Sequence, residues 1–352
     1  MKKTAIIALI LMFFTTFLHS PALGTLEVVE DAVPDSAREI LGEADAEETD
    51  SAIDSVFDYI KEESGEIFTE SLKRGAAVLL IPIICALAGT LYNDKMPDVI
   101  TIVGIAAAGA VCLDGTNSFI GMGRELIEEL DSFYKVLLPT LTATAAASGA
   151  VTSAAAKYAA AALFIEVLIS VGKSVILPLI YAYIAVSIGG AAFGGGLDSA
   201  SKFIKWLTVT AMTILVMAFT IYLTMTGVVS GTADAAATKL TKSALSTALP
   251  VVGGIISDAA SAVVSGTSML KSTTGVFGMI VVLAVCAVPF MRLGINYLIF
   301  KGAAAIAEPF GEGKISKVIS SAGTALGMML GLCGSIAVML YISIISLMKV
   351  VT

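Results

Sequence analysis

Leu138-Pro139 leads into Thr140–Ala156, TLTATAAASGAVTSAAA, and Leu249-Pro250 leads into Val251–Ser268, VVGGIISDAASAVVSGTS. Both tracts lie among plainly apolar stretches. Small residues let helix backbones approach closely, and Pro and Gly open the helical hydrogen-bond ladder. At membrane depth, open backbone is tolerated only where protein buries it or where it lines a water-filled cavity. The tracts therefore point to a multi-helix membrane assembly with something to enclose. Tight helix packing without a pore is the plainer alternative. Pro139, Ser148 and Gly149 mark the first tract; Pro250, Gly253, Gly254 and Asp258 mark the second.

Composition agrees with that reading. Of 352 residues, 57% are hydrophobic and 14% charged, and the mean hydropathy is +0.92. Soluble domains carry about 25% charged residues. The apolar runs far exceed barrel strands of roughly 10 residues. The expected fold is an all-α polytopic membrane protein, a bundle of about six to eight spans, with the two tracts broken or re-entrant.

The N-terminus has the pattern of a secretory signal peptide over residues 1–24. Lys2 and Lys3 precede an apolar run, Thr4–Leu18, and small residues suit cleavage after Gly24 or Ala22. An uncleaved anchor is the alternative. Residues 25–73 then form an exported acidic segment. Residues 27–70 hold sixteen acidic side chains against Arg38 and Lys61. Such a segment repels nucleic acid and anionic lipid, so no nucleic-acid partner is expected. Its first half, VVEDAVPDSAREILGEADAEETD, is polar enough to suggest disorder. From Ser51, Ile53, Val56, Phe57, Ile60 and Ile67 fall at helical spacing, which predicts an amphipathic acidic helix over 51–73. It is suited to docking a partner or to standing in solvent.

Residues 74–352 form the polytopic domain. A first span with Pro82 inside it ends near Tyr92, and a second runs from Val99 to about Leu113. Asp114-Gly115-Thr116-Asn117 is expected to break it, and 121–135 to lie as an amphipathic helix at the interface. Tyr158–Gly190 is long for one span, at roughly 50 Å of helix, and Gly172-Lys173-Ser174 and Pro178 interrupt it. Pro289 and Arg292 fall in the second half of a similar long run, Thr273–Phe300. Pro139 and Pro178 are as far apart as Pro250 and Pro289, and each pair precedes a lysine-bearing loop and a final span. That order suggests an internal duplication of the kind seen in transporters.

No nucleotide loop, GxSxG or HExxH motif is present, so no catalytic residue, metal or cofactor is expected and the chain is not read as an enzyme. The one histidine, His19, falls in the signal peptide. Cys85, Cys112, Cys286 and Cys333 stand singly in apolar runs and read as buried thiols. Ionisable residues inside spans are functional hypotheses by default. Glu166 and Lys173 are two helical turns apart on one face. They suit partners across a bundle or a polar path, with snorkelling as the alternative. Arg292 is read the same way. Asp258 suits an ion site, a helix cap or a loop.

The strings Leu249-Pro250-Val251-Val252-Gly253-Gly254 to Ser257-Asp258-Ala259, and Leu138-Pro139 with Ala146-Ala147-Ser148-Gly149, resemble the corresponding stretches of the stage III sporulation protein AE family. A signal peptide, an exported acidic segment and a polytopic body complete the likeness. The resemblance implies a subunit of the secretion-like channel complex between mother cell and forespore, sited in the mother-cell membrane around the engulfed forespore. It implies work beside other stage III sporulation proteins, among them a cytoplasmic ATPase and ring-forming proteins of the intermembrane space. A channel or export-platform subunit, built from several copies or with partners, is the expected role. A secondary transporter with its own substrate, or a structural anchor for an extracytoplasmic ring, are the alternatives.

Overall fold

The computed structural model describes residues 28–42, 49–91, 97–145, 151–225, 273–310 and 313–351. Among these, every element is helical: α1 (Asp35–Leu41), α2 (Thr49–Leu91), α3 (Pro97–Ala145), α4 (Val151–Val171), a π-turn (Gly172–Ile176), α5 (Leu177–Phe193), α6 (Gly196–Met225), α7 (Thr273–Ala307), a 3-10 turn (Glu308–Phe310) and α8 (Lys314–Val351). Among the described residues, six stretches are long and apolar enough to cross a membrane: Ser51–Leu91, Asp98–Thr144, Tyr158–Phe193, Gly196–Tyr222, Thr273–Phe310 and Lys314–Met348. The chain is an all-α polytopic membrane protein.

α8 is the axis of the bundle. Of its most apolar window 89% is buried, against 17% in α2 and in α6. It packs most extensively on α7 and α3, then on α5 and α4. Glycines on its neighbours make that approach possible. At Gly123 of α3 an added Cβ would collide with the Met329 side chain, and at Gly172 it would stand 3.2 Å from Leu332 Cδ1. Close packing through small residues is how helices gain dispersion energy where lipid removes the hydrophobic drive.

Side-chain bonds fix the helix directions. Tyr341 donates to the Met279 carbonyl at 2.9 Å and Ser316 to the Ala304 carbonyl at 2.7 Å, so α7 and α8 are antiparallel. Lys301 sits between them with all three donors used, on the Ser320 carbonyl (2.9 Å), Ser320 Oγ (3.0 Å) and Thr324 Oγ1 (2.7 Å). Gly194 and Gly195 have φ of +67° and +65°, the left-handed backbone that turns α5 back into α6. Asp198 then pairs with Lys317, which puts the starts of α6 and α8 side by side. An added Cβ on Gly104 would stand 2.6 Å from Ile315 Cδ1, so α3 starts at this end too.

The long run after Tyr158 is one rod carrying a π-turn. Pro178 opens α5 and offers no N–H to Ser174, and its ring would strike that carbonyl in a tight α-turn. The wider turn over Gly172–Ile176 moves the carbonyl away.

Three expectations change. Asp114–Asn117 does not break α3, which runs unbroken from Pro97 to Ala145. Thr116 folds its hydroxyl onto the Cys112 carbonyl at 2.6 Å, and Gly115 faces open space, so nothing there forces the chain out of the helix. Residues 121–135 are consequently not a separate helix but the continuation of α3, with Leu126, Ile127, Leu130 and Phe133 buried on one face. The first half of the acidic segment is also ordered over 28–42. Val29, Val33, Ala37, Ile40 and Leu41 make one apolar face, and α1 lays it on α7 and α2. Average composition hid that periodicity.

Pro139 lies inside α3 and does not break it as expected: the helix continues to Ala145, with the Thr140 and Thr142 hydroxyls donating to the Val136 and Leu138 carbonyls. Ser148 and Gly149 lie outside the described residues, as do the second tract with Pro250, Gly253, Gly254 and Asp258, and the expected signal peptide.

Candidate functional site

α3 carries a polar stripe. Asp114, Asn117, Gly121, Arg124, Glu128, Asp131 and Lys135 follow one another at spacings of three and four. A repeat of that period keeps them on one line along the helix, opposite the face buried on α8. Arg124, Glu128 and Lys135 have side chains 66%, 49% and 53% exposed. The stripe is laced internally: Arg124 Nε donates to Glu128 Oε1 at 3.1 Å, and Lys135 Nζ lies 2.9 Å from Asp131 Oδ1.

α4 and the π-turn extend it sideways. Lys173 donates to Asp131 Oδ2 at 3.3 Å, so one carboxylate holds two ammonium groups. Tyr134 donates to Glu166 Oε2 at 2.6 Å. Ser170 and Ser174, both exposed, continue the line between Glu166 and the end of the turn. Lys173 lies within the π-turn itself, a feature frequent at functional sites.

The depth of this face is set by α6. Phe164, two residues from Glu166, packs against Phe219 and Tyr222 of α6, with ring centroids 5.6 and 5.1 Å apart. At the other end, an added Cβ on Gly190 would stand 2.5 Å from Asp198 Oδ1 near the start of α6. Glu166 therefore stands level with the last turns of α6, and Ser170, Lys173 and Ser174 with its middle. That stretch of α6, Trp206–Tyr222, holds no charge and exposes Trp206, Ile214, Met217 and Ile221. One side of the bundle is thus apolar and the other polar over the same height. A charged side chain facing lipid costs about 2.5–3.5 kcal/mol at mid-membrane. The stripe therefore favours water or protein over lipid as its neighbour, as do α1, whose Ser36 bonds Glu129 at the same height, and the acidic half of α2.

Glu166 and Lys173 share the face that their spacing predicts, and both are partnered across to α3 rather than to each other. Pro178 is exposed at the start of α5. Pro289 lies inside α7. Arg292 is half-buried on the far side of the bundle, its Nη2 3.9 Å from Glu63 Oε2 on α2. One turn on, buried Asn296 donates to Ser71 Oγ at 2.8 Å, which joins α7 to α2 a second time. Near the other edge of α3, Arg74 lies over the Phe119 ring at 5.1 Å. Ser36 of α1 donates to Glu129 Oε2 at 2.6 Å, tying the acidic segment to the same helix.

Asp131, Tyr134, Lys135 and Asn296 are functional candidates that the spans alone do not reveal. The signal for Asp131 and Lys135 is present in the sequence as the three–four spacing from Asp114 to Lys135. An interfacial reading of 121–135 conceals it.

The chain matches the family described as Stage III sporulation protein AE (spore_III_AE) over residues 36–350. It is similar to Stage III sporulation protein AE of Bacillus subtilis (strain 168), with 24% identity over 266 residues, covering 73% of this chain and 67% of that protein. No solved structure matches it. The family match spans nearly the whole six-helix bundle together with α1, and the chain belongs to the stage III sporulation protein AE family.

Proposed function

We propose that the chain is a membrane subunit of the channel or secretion-like complex between mother cell and forespore, required for spore development after engulfment. The observation that carries this reading is the family match over residues 36–350, beside a polar stripe on α3 joined to Lys173 and Glu166 in a bundle of membrane-spanning length. An outward polar face across a membrane suits a conducting or exporting assembly, and it is wasted on a simple anchor. The sequence contributes no nucleotide, metal or nucleophile motif, so the chain binds, scaffolds or conducts and draws work from elsewhere.

In this reading it sits in the mother-cell membrane around the forespore. A cytoplasmic ATPase supplies energy at the end where α6 and α8 start, and ring proteins of the intermembrane space meet the acidic end formed by α1 and the first half of α2. The test is an in-frame deletion. Vegetative growth and engulfment should be normal while heat-resistant spores are lost. A deletion strain with full spore yield would remove the proposal.

A further inference from the structure

α6 and α7 both pack on α8 and scarcely touch each other, so a groove runs between them with α8 as its floor. We infer that the end of this groove where α6 and α8 start binds the phosphate of an anionic phospholipid, held between Lys205 and Lys301 over the Ser320 hydroxyl. The inference uses neither the α3 stripe nor the conduit reading.

Position comes first. The Asp198–Lys317 pair joins α6 to α8 where both begin, and the two helices run on in the same direction. Lys205 lies two turns, about 10 Å, beyond Asp198, and Ser320 and Thr324 lie about 5 and 10 Å beyond Lys317, so they are level. Lys202 and Lys205 follow Asp198 at spacings of four and three, on the helix face that Asp198 turns toward α8. Lys301 reaches the same level from α7, on Ser320 and Thr324. Its partners are a carbonyl and two hydroxyls, none of them charged. The charge that acts on this half-buried ammonium is a second cation, Lys205. Among the described residues no carboxylate pairs with Lys202, Lys205 or Lys301, and Asp198 is taken by Lys317. Cations gathered around a half-buried ammonium are unfavourable until an anion joins them. The Ser320 hydroxyl accepts from Lys301 and keeps its own hydrogen to donate to that anion.

The stretches outside the described residues join the bundle far from this point. Met225 lies about 30 Å from Lys205 along α6, and Thr273 about 42 Å from Lys301 along α7. Glu312 precedes Lys314, which is itself about 9 Å from Ser320 along α8. A lipid phosphate is favoured over a free one by Phe203 and Trp206. Both are exposed on α6 beside the lysines, with ring centroids 5.9 Å apart. Such aromatics sit at headgroup level, and basic pockets between spanning helices at that level hold phosphate headgroups.

Native mass spectrometry of the full chain in detergent tests this, with phosphatidylglycerol, phosphatidylcholine and inorganic phosphate as probes. The parent chain should retain phosphatidylglycerol in preference to phosphatidylcholine. Lys205→Gln should weaken that binding about fivefold, the effect of one lysine near a charged surface. Lys301→Gln should weaken it as well, Lys205→Arg should keep it, and Lys61→Gln on the acidic half of α2 should leave it unchanged. Lys205 is exposed, so its loss of binding is not a folding failure. Equal retention of the two lipids, or an unchanged Lys205→Gln chain, would overturn the site. Displacement of the lipid by millimolar inorganic phosphate would make it a site for soluble anions and overturn the lipid assignment. Binding that is absent in the parent and appears in an Asp234→Asn, Asp258→Asn chain would mean that the protein supplies its own anion, which also overturns it. None of these readouts depends on spore yield, so the deletion test above stands or falls separately.

Discussion

At Asp131 one carboxylate meets two lysines, and this fixes an order of mutational effects. Asp131→Asn leaves Lys135 and Lys173 facing each other without their shared anion. A loss of about 1–3 kcal/mol is expected. Lys173→Gln leaves Asp131 still paired with Lys135, and Glu166→Gln leaves an amide oxygen that still accepts from Tyr134. Each should cost under about 1 kcal/mol. Thermal unfolding of the detergent-solubilised protein measures the series. Equal losses in all three would mean that the network is not coupled as described. The spacing of Glu166 and Lys173 was readable in the chain. Their partners were not, because Tyr134 and Asp131 lie 32 and 42 residues away and only the fold brings them near. Glycines show the same limit. Gly195 looks like a permissive loop glycine, yet its φ of +65° strains any other residue, while helical Gly115 meets nothing within 4 Å. Gly115→Ala should be neutral or stabilising by up to about 1 kcal/mol.

Among the elements, α1 is the clearest case of local pattern outweighing composition. Its segment is acidic, and average polarity suggests a free chain. Yet five apolar residues at helical spacing dock it on α7 and α2. Arg38 reinforces the preceding turn by donating to the carbonyls of Val33, Glu30 and Asp31. Ile40→Asp places a carboxylate in that buried face, which costs several kcal/mol if the contact is kept. The segment should instead detach, and trypsin should then cut at Arg38 in the variant well before it does in the parent chain. Unchanged cleavage would show that α1 is not held. For α3 the difficulty was different. Asp, Gly, Thr and Asn in a row are individually turn-prone, but here the flanking helix and contacts with α8 override them. The interruption at Gly172 and Pro178 was legible because Pro acts through covalent geometry; that the chain absorbs it as a π-turn within one rod is seen only in the structure.

On the scale of the molecule, membrane class and an all-helical bundle follow from apolar run lengths alone. The central place of α8 does not, since its composition differs little from that of α7. It emerges from glycines on other helices that receive its side chains. The charge distribution gives the bundle a direction. Lys202, Lys205, Lys314 and Lys317 cluster where α6 and α8 start, while acidic α1 and the acidic half of α2 lie at the opposite end. Cytoplasmic ends of membrane proteins favour lysine. The α5–α6 turn should therefore be cytoplasmic, and α1 and the end of α8 should share the outer side. Proteolysis of right-side-out and inverted vesicles distinguishes the two arrangements, and cleavage at the α5–α6 turn from outside would reverse the assignment. The most direct test of the account converts the polar face into a lipid-like one. Arg124→Leu, Glu128→Leu and Ser132→Leu are combined in one chain, and heat-resistant spores are counted at matched membrane levels of the protein. The account predicts a fall to the yield of the deletion strain. Full spore yield from the leucine-faced chain would contradict it.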